Sequence, residues 1–243
     1  MKKSRAVLLS TLGCVLLSGC SNHPLPPKTA IVDTRIIDAN NGARITVLTQ
    51  NAINGDVIED TDNTLNLVSK ADNTKLLALK TLQFAATLLG GGSGDVNGYS
   101  KEQLKGNHIN SVKNYTMDYV NPQLDEMLKT IDFGAAQGAK IIIKPYKFKL
   151  IYEGLTNDDY EFRYSTTIRV GDFYKVCSSE DLLSSERVQP ISLWEKNNYQ
   201  LTQALTQKII KNCFYEINQK QTKEQFTKAL LNSELNTSAT SDT

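Results

Sequence analysis

IIIKPYKFKLIYE, residues 141–153, sets Tyr146, Phe148, Leu150 and Tyr152 in alternation with Lys147 and Lys149. DYEFRYSTTIRV, residues 159–170, continues the pattern. Tyr160, Phe162, Tyr164, Ile168 and Val170 share one parity, with Glu161, Arg163 and Arg169 on the other. A period of two over this length predicts half-buried antiparallel strands, joined through a loop at EGLTNDD. Pairing is expected to set Lys147 and Lys149 against Glu161 on a wet face. Gly171-Asp172 turns the chain into a third strand, FYKVC, ending at Cys177.

Outward from this core, IVDTRII and RITVLT within residues 31–49 read as two strands joined at Asn40-Asn41-Gly42. Residues 51–63 are polar and acidic and read as loop. Residues 72–89 look helical, capped by Asp72 or Asn73 and closed at Gly90. This helix is apolar nearly all round, which fits a buried helix or one that meets a partner or membrane surface. Residues 90–98 read as a connection. Asn121-Pro122 reads as the start of a second helix, whose Leu124, Met127, Leu128 and Ile131 form one stripe. Residues 196–217 read as a long helix with Leu201, Leu205, Ile209 and Cys213 recurring every four positions. Thr222 and Gln225 suggest a capping box for a last helix bearing Phe226, Ala229 and Leu230. The expected fold class is α+β: an antiparallel sheet of three to five strands against two or three helices, near 73–89, 122–131 and 196–217.

The chain opens MKKSR and continues without charge from Ala6 to Leu17. A basic start followed by a short apolar run is the grammar of an export signal, and the run is too short to span a bilayer. It closes on Leu17-Ser18-Gly19-Cys20, which resembles the lipobox of bacterial lipoproteins. Cys14, preceded by Thr11-Leu12-Gly13, matches poorly. The resemblance implies that Cys20 becomes the first mature residue and carries acyl chains, several of which anchor firmly where one would not. In that class the residue after the cysteine influences sorting. Ser21 stands where aspartate would favour the inner membrane, so the resemblance implies the outer membrane of a Gram-negative cell. The organisation expected is a signal peptide at 1–19, a lipidated cysteine and Pro-rich tether at 20–30, one α+β domain at 31–232 and a polar tail at 233–243.

With 27 basic and 26 acidic residues the chain is nearly neutral. Loss of Lys2, Lys3 and Arg5 with the signal leaves 24 against 26, a formal charge of −2. That balance lacks the basic footprint of a nucleic-acid binder. Beyond the anchor two cysteines remain, Cys177 and Cys213. In an oxidising envelope two such residues pair, here clamping a strand to a helix, although free buried thiols are the alternative.

Chemistry is thin. His108, in GNHIN, is the one histidine outside the tether region, so an envelope hydrolase would have to use it. No HExxH, CxxC or EF-hand pattern is present, and no metal or cofactor is expected. The run Glu59-Asp60-Thr61-Asp62 reads as a solvated loop. Tyr146, Phe148, Tyr160, Phe162 and Tyr164 gather on one sheet, either as its core face or as an open aromatic groove for a ligand. The functional expectation is a non-catalytic outer-membrane lipoprotein, held by its acyl chains and facing the periplasm, that binds an envelope protein partner or scaffolds within an envelope complex. A surface-exposed protein in contact, exclusion or host interaction is the alternative.

Overall fold

The computed structural model describes residues 28–39, 42–54, 57–59, 62–72, 101, 104–134, 138–154 and 156–233. Its centre is the expected hairpin, longer than the alternation alone suggested. Strands β6 (Gly138–Tyr152) and β7 (Asp159–Val170) pair antiparallel from Ile142↔Arg169 to Tyr152↔Tyr160. Strand β8 (Phe173–Ser178) folds back on β7 through Val170↔Phe173.

The apolar residues of β6 change parity midway. Ile141 and Ile143 are buried in its first half, and Phe148, Leu150 and Tyr152 in its second. An uninterrupted strand would send these two sets to opposite faces. The register shifts between Lys144 and Lys147, spending an extra residue at Pro145-Tyr146, so both sets face the buried side chains of β7. Proline suits this position because it has no N–H to give to a ladder.

The same point divides the sheet. Before it, β6 lies parallel to β2 (Arg44–Asn54), from Arg44↔Gly138 to Thr49↔Ile143. After it, the same edge of β6 takes β4 (Thr64–Val68), also parallel, through Asn66↔Lys149 to Val68↔Ile151. Beyond β2 lies β1 (Lys28–Asp38), and the short β3 (Val57–Glu59) pairs with the end of β2 on the edge that β6 takes earlier in the strand. Beyond β4 lies β5 (Asn107–Lys113). On the far edge of β7, β8 covers Ser165–Val170 and β9 (Val188–Pro190) covers Asp159–Glu161. The result is a curled, nine-stranded mixed sheet in two halves that share the β6–β7 hairpin.

This corrects the expected antiparallel sheet of three to five strands. The 51–63 loop expectation fails as well, because β2 runs on to Asn54 and β3 follows. Lys28 to Ala30, expected in the tether, are strand. The β1–β2 hairpin is as expected, with Gly42 at φ +83° in its turn. The first 27 residues, Asn40 and Asn41, nearly all of the 72–89 helix, the 90–98 connection and residues 234–243 lie outside the described residues.

Helix α1 (Thr116–Leu128) buries Val120, Leu124, Met127 and Leu128. It begins earlier than Asn121-Pro122 predicted. Asn114 Oδ1 accepts from the Thr116 N–H at 3.1 Å and the Thr116 hydroxyl at 2.6 Å, taking up a donor the first turn leaves free. Pro122 therefore sits inside the helix, on its exposed side. After β9 and two short helices, α2 (Ser184–Arg187) and α3 (Ile191–Glu195), comes α4 (Gln200–Ile217), close to the expected span. Helix α5 (Lys220–Asn232) starts two residues ahead of Thr222, with Gln219 at its N-cap and no side-chain cap bond, so the expected capping box is absent. Phe226 and Leu230 of α5 are buried, and Phe226 meets Phe173 of β8 edge to face at 5.3 Å. The helices cover the face of the sheet that carries Ile45, Val47, Ile141, Ile143, Ile168 and Val170, and these side chains join one contiguous core.

Candidate functional site

Four of the five aromatic residues singled out by alternation are core residues. Phe148 and Phe162 are fully buried, Tyr164 and Tyr160 nearly so. Phe162 is the hub: Phe148 meets it at 5.8 Å edge to face, Tyr164 stacks at 6.1 Å, and Trp194 of α3 lies at 6.0 Å. The Trp194 indole N–H donates to the carbonyls of Tyr160 and Gln189, both at 3.0 Å, which satisfies its polar atom within the core. The Tyr164 hydroxyl is 2.8 Å from the Thr116 hydroxyl, tying β7 to the start of α1. These four residues leave no open groove: the apolar area of the sheet is spent against α1, α3 and α4. The side chain of Tyr146 lies outside the described residues.

Cys177 of β8 and Cys213 of α4 are joined by a disulfide. One turn of helix later, Glu216 pairs with Lys175 of the same strand. Helix and sheet are thus clamped covalently and electrostatically along one seam, the arrangement expected from a strand-end cysteine and a cysteine on the helix's inner face.

His108 is exposed on β5 and not in a loop. Its Nδ1 lies 3.3 Å from the Thr64 hydroxyl on the neighbouring strand.

Two carboxylates expected in contact with water, Asp62 and Glu161, are buried. Asp62 precedes β4 and is 7% exposed. Its Oδ2 accepts from the Phe148 N–H at 2.9 Å, and its Oδ1 accepts from the Asn66 amide. Phe148 stands where β6 has left β2 and not yet met β4, so the ladder provides no backbone acceptor. Asp62 supplies one, as buried N–H groups require. Burial raises its pKa above the ordinary aspartate value, against the opposing pull of Lys149 and these two hydrogen bonds. Asp62 is therefore a structural carboxylate, not part of a solvated loop.

Glu161 stands opposite Ile151, not opposite the lysines, and is 4% exposed. Arg163 reaches it at 2.7 Å and Arg187 lies 3.2 Å away. Arg163 also meets Glu180 at 3.4 Å. The expected Lys–Glu pairing fails because the register running out from the Tyr152↔Tyr160 end of the hairpin places Lys149 beside Arg163 and Lys147 beside Ser165. Burial is the main cause that raises the Glu161 carboxyl above its ordinary value. The two guanidinium groups oppose this, and the carboxyl of Glu153 adds to it. Both oxygens of Glu161 face arginines, which suits it to hold β7 to the α2–β9 segment. Nothing in the sequence around Arg187 announces this pairing, which depends on a partner 26 positions away.

Among the described residues no cluster of His, Cys, Asp and Glu is arranged to hold a metal ion, and no helix is long and apolar enough to cross a membrane. Several large apolar side chains face solvent. Ile31, Val32 and Ile36 lie along β1, Tyr174 and Val176 on β8, and Tyr215 on α4. No family model matches the sequence, and neither a curated protein nor a solved structure shows significant similarity to it.

Proposed function

We propose that the chain is an outer-membrane lipoprotein that binds or scaffolds within an envelope complex and catalyses no reaction. The observation that carries this reading is the lipobox, Leu17-Ser18-Gly19-Cys20, placed directly after a basic start and an uncharged apolar run. The Cys177–Cys213 disulfide supports an oxidising compartment. With Phe148, Tyr160, Phe162 and Tyr164 inside the core, binding falls to the strand edges and exposed helix faces.

The test is palmitate labelling combined with protease treatment of intact and permeabilised cells. The wild type is expected to take up label and fractionate with the outer membrane. It should resist protease until the cells are permeabilised. Cys20→Ser is expected to lose the label and leave the membrane. An unlabelled wild type would overturn the lipoprotein reading. Digestion in intact cells would place the domain outside and turn the search toward other cells and host molecules. The hydrolase reading makes a separate demand: it requires His108→Ala to abolish function in the cell, whereas the binding reading expects no effect.

A further inference from the structure

Strand β8 is paired on one side only. Among the described residues it meets β7 alone, in an unbroken register from Val170↔Phe173 to Ser165↔Ser178. The Tyr164 N–H donates to Ser179 Oγ at 3.0 Å, so Tyr164 and every second residue after it aim their backbone groups at the β8 side. Cys177, Lys175 and Phe173 stand opposite those residues and return the bonds. The backbone groups of the residues between them, Tyr174, Val176 and Ser178, therefore point away from β7. Asp181 Oδ2 takes the Ser178 N–H at 3.4 Å. No described residue takes those of Tyr174 and Val176, and both residues are exposed.

A groove of about 550 Å³ lies beside this edge. One wall is Phe173 to Lys175, and the other is the flank of α5 that carries Thr222, Gln225, Lys228 and Ala229. The contact of Phe173 with Phe226 of α5 joins the two walls. An open strand edge binds an extended peptide by adding it to the sheet. Main-chain hydrogen bonds then give affinity, and pockets for alternate side chains give specificity. A strand beside β8 would set the side chains opposite Phe173 and Lys175 on the groove side, and the one opposite Tyr174 on the other face.

Charge narrows the partner. Helix α5 carries Lys220, Lys223 and Lys228 against Glu224. Among the described residues lining the groove, Lys175 and Lys228 stand against Asp172 on the β7–β8 turn. Lys175 is already paired with Glu216. Lys228 is exposed and meets no carboxylate among the described residues. A second copy of this chain suits the edge poorly, because two β8 strands opposed about Lys175 would set lysine against lysine.

We propose that the groove between β8 and α5 binds an extended segment of a partner protein, added to the sheet beside Tyr174 and Val176. Two inward side chains of that segment, two positions apart, define it: an apolar one against Phe173 and Ala229, and an acidic one against Lys228. This rests on the reading that the chain binds an envelope protein, and it names the place and the chemistry of that binding.

The test uses the full-length chain in detergent. The probe is a short, blocked, fluorescent peptide with threonine at every second position and valine and glutamate by turns between them. It is expected to bind saturably. The same peptide with lysine for glutamate should bind about fivefold more weakly, the scale of an exposed ion pair. Methylating its backbone nitrogens, which keeps the side chains and removes the N–H groups, should abolish binding. Lys228→Glu should reverse the preference between the two peptides. Val176→Pro removes an outward N–H and leaves the β7 ladder whole, so it should lose binding with the melting temperature unchanged. In the wild type, binding should slow amide exchange at Tyr174 and Val176 and leave β1 and β5 as they were. No binding, equal binding of the acidic and basic peptides, binding that survives methylation, or protection elsewhere overturns the proposal. A photo-crosslinker placed in cells at Tyr174, Ile36 or Tyr215 separates it from the wider reading. An envelope protein linked at Tyr174 supports the groove. Linkage only at Ile36 or Tyr215 overturns the groove and keeps the binding reading, and linkage at none of the three overturns both.

Discussion

Asp62 shows how one side chain lets the sheet divide. Where β6 changes partners, the Phe148 N–H meets the Asp62 carboxylate in place of a strand. Asp62→Ala would leave that N–H buried without an acceptor, a loss of about 1–3 kcal/mol of stability. The carboxyl's folded pKa is raised, chiefly by burial. Between its unfolded and folded values the native state therefore binds more protons than the unfolded one, and stability falls as pH rises through that window. Asp62→Asn keeps an acceptor for Phe148 and removes the titration. Melting temperatures from pH 3 to 7 should therefore decline less steeply with pH in Asp62→Asn than in the wild type. Parallel profiles would show that Asp62 carries no such linkage. Nothing local marks Asp62 in the sequence. It sits in an acidic run, and its role depends on a bulge some eighty residues away.

At the scale of elements, what the sequence made legible was whatever its periodicity could encode locally. The β6–β7 alternation, the β1–β2 turn and the four-residue repeat of α4 all recur in the structure near their expected positions. Strands β4 and β5 were missed for a physical reason. Each is short, and β4 pairs parallel to β6 across a long stretch of chain, so neither carries an alternation that stands alone. Gly106, at φ +70°, leads into β5 so close to β4 that a Cβ would come within 2.6 Å of the Leu67 carbonyl. Its reason to be glycine is visible only once the strands are paired. In the candidate site, the cysteine pair was legible and the fate of the aromatic face was not, because alternation identifies a face without saying what covers it.

Two element-level predictions follow from this geometry. The disulfide closes a sequence separation of 36 residues, and chain-entropy reasoning puts its effect near 3–4 kcal/mol. Cys177→Ser with Cys213→Ser should lower stability by about that amount in denaturant titration. A change within error would mean that Lys175–Glu216 and the packing of α4 suffice. Pro122 lies mid-helix in α1, exposed. Replacing it by alanine restores an N–H and relieves the clash with the preceding turn, offset by a freer unfolded chain. Pro122→Ala should gain about 1–2 kcal/mol. A loss instead would mean that the proline's bend is needed to seat Val120 and Leu124 together.

At the scale of the molecule, the question is whether two half-sheets sharing one hairpin can come apart. The disulfide stands in the half built on β8 and the far end of β7. Trp194, the only tryptophan, stands in the other half, against Phe162. Both halves hang on strands that run unbroken through the bulge at Pro145, and their buried side chains form one contiguous core. Opening either half alone would expose part of that core and release β6 and β7 from their neighbours together. The molecule should therefore unfold in one transition, with Trp194 fluorescence and far-ultraviolet dichroism giving the same midpoint. Reducing the disulfide should move both probes by the same amount, although the tryptophan is in the half that lacks the bond. A fluorescence transition that holds still while the dichroism shifts would mean that Pro145 is a boundary between independent units, and that the bulge separates what the hairpin was expected to join.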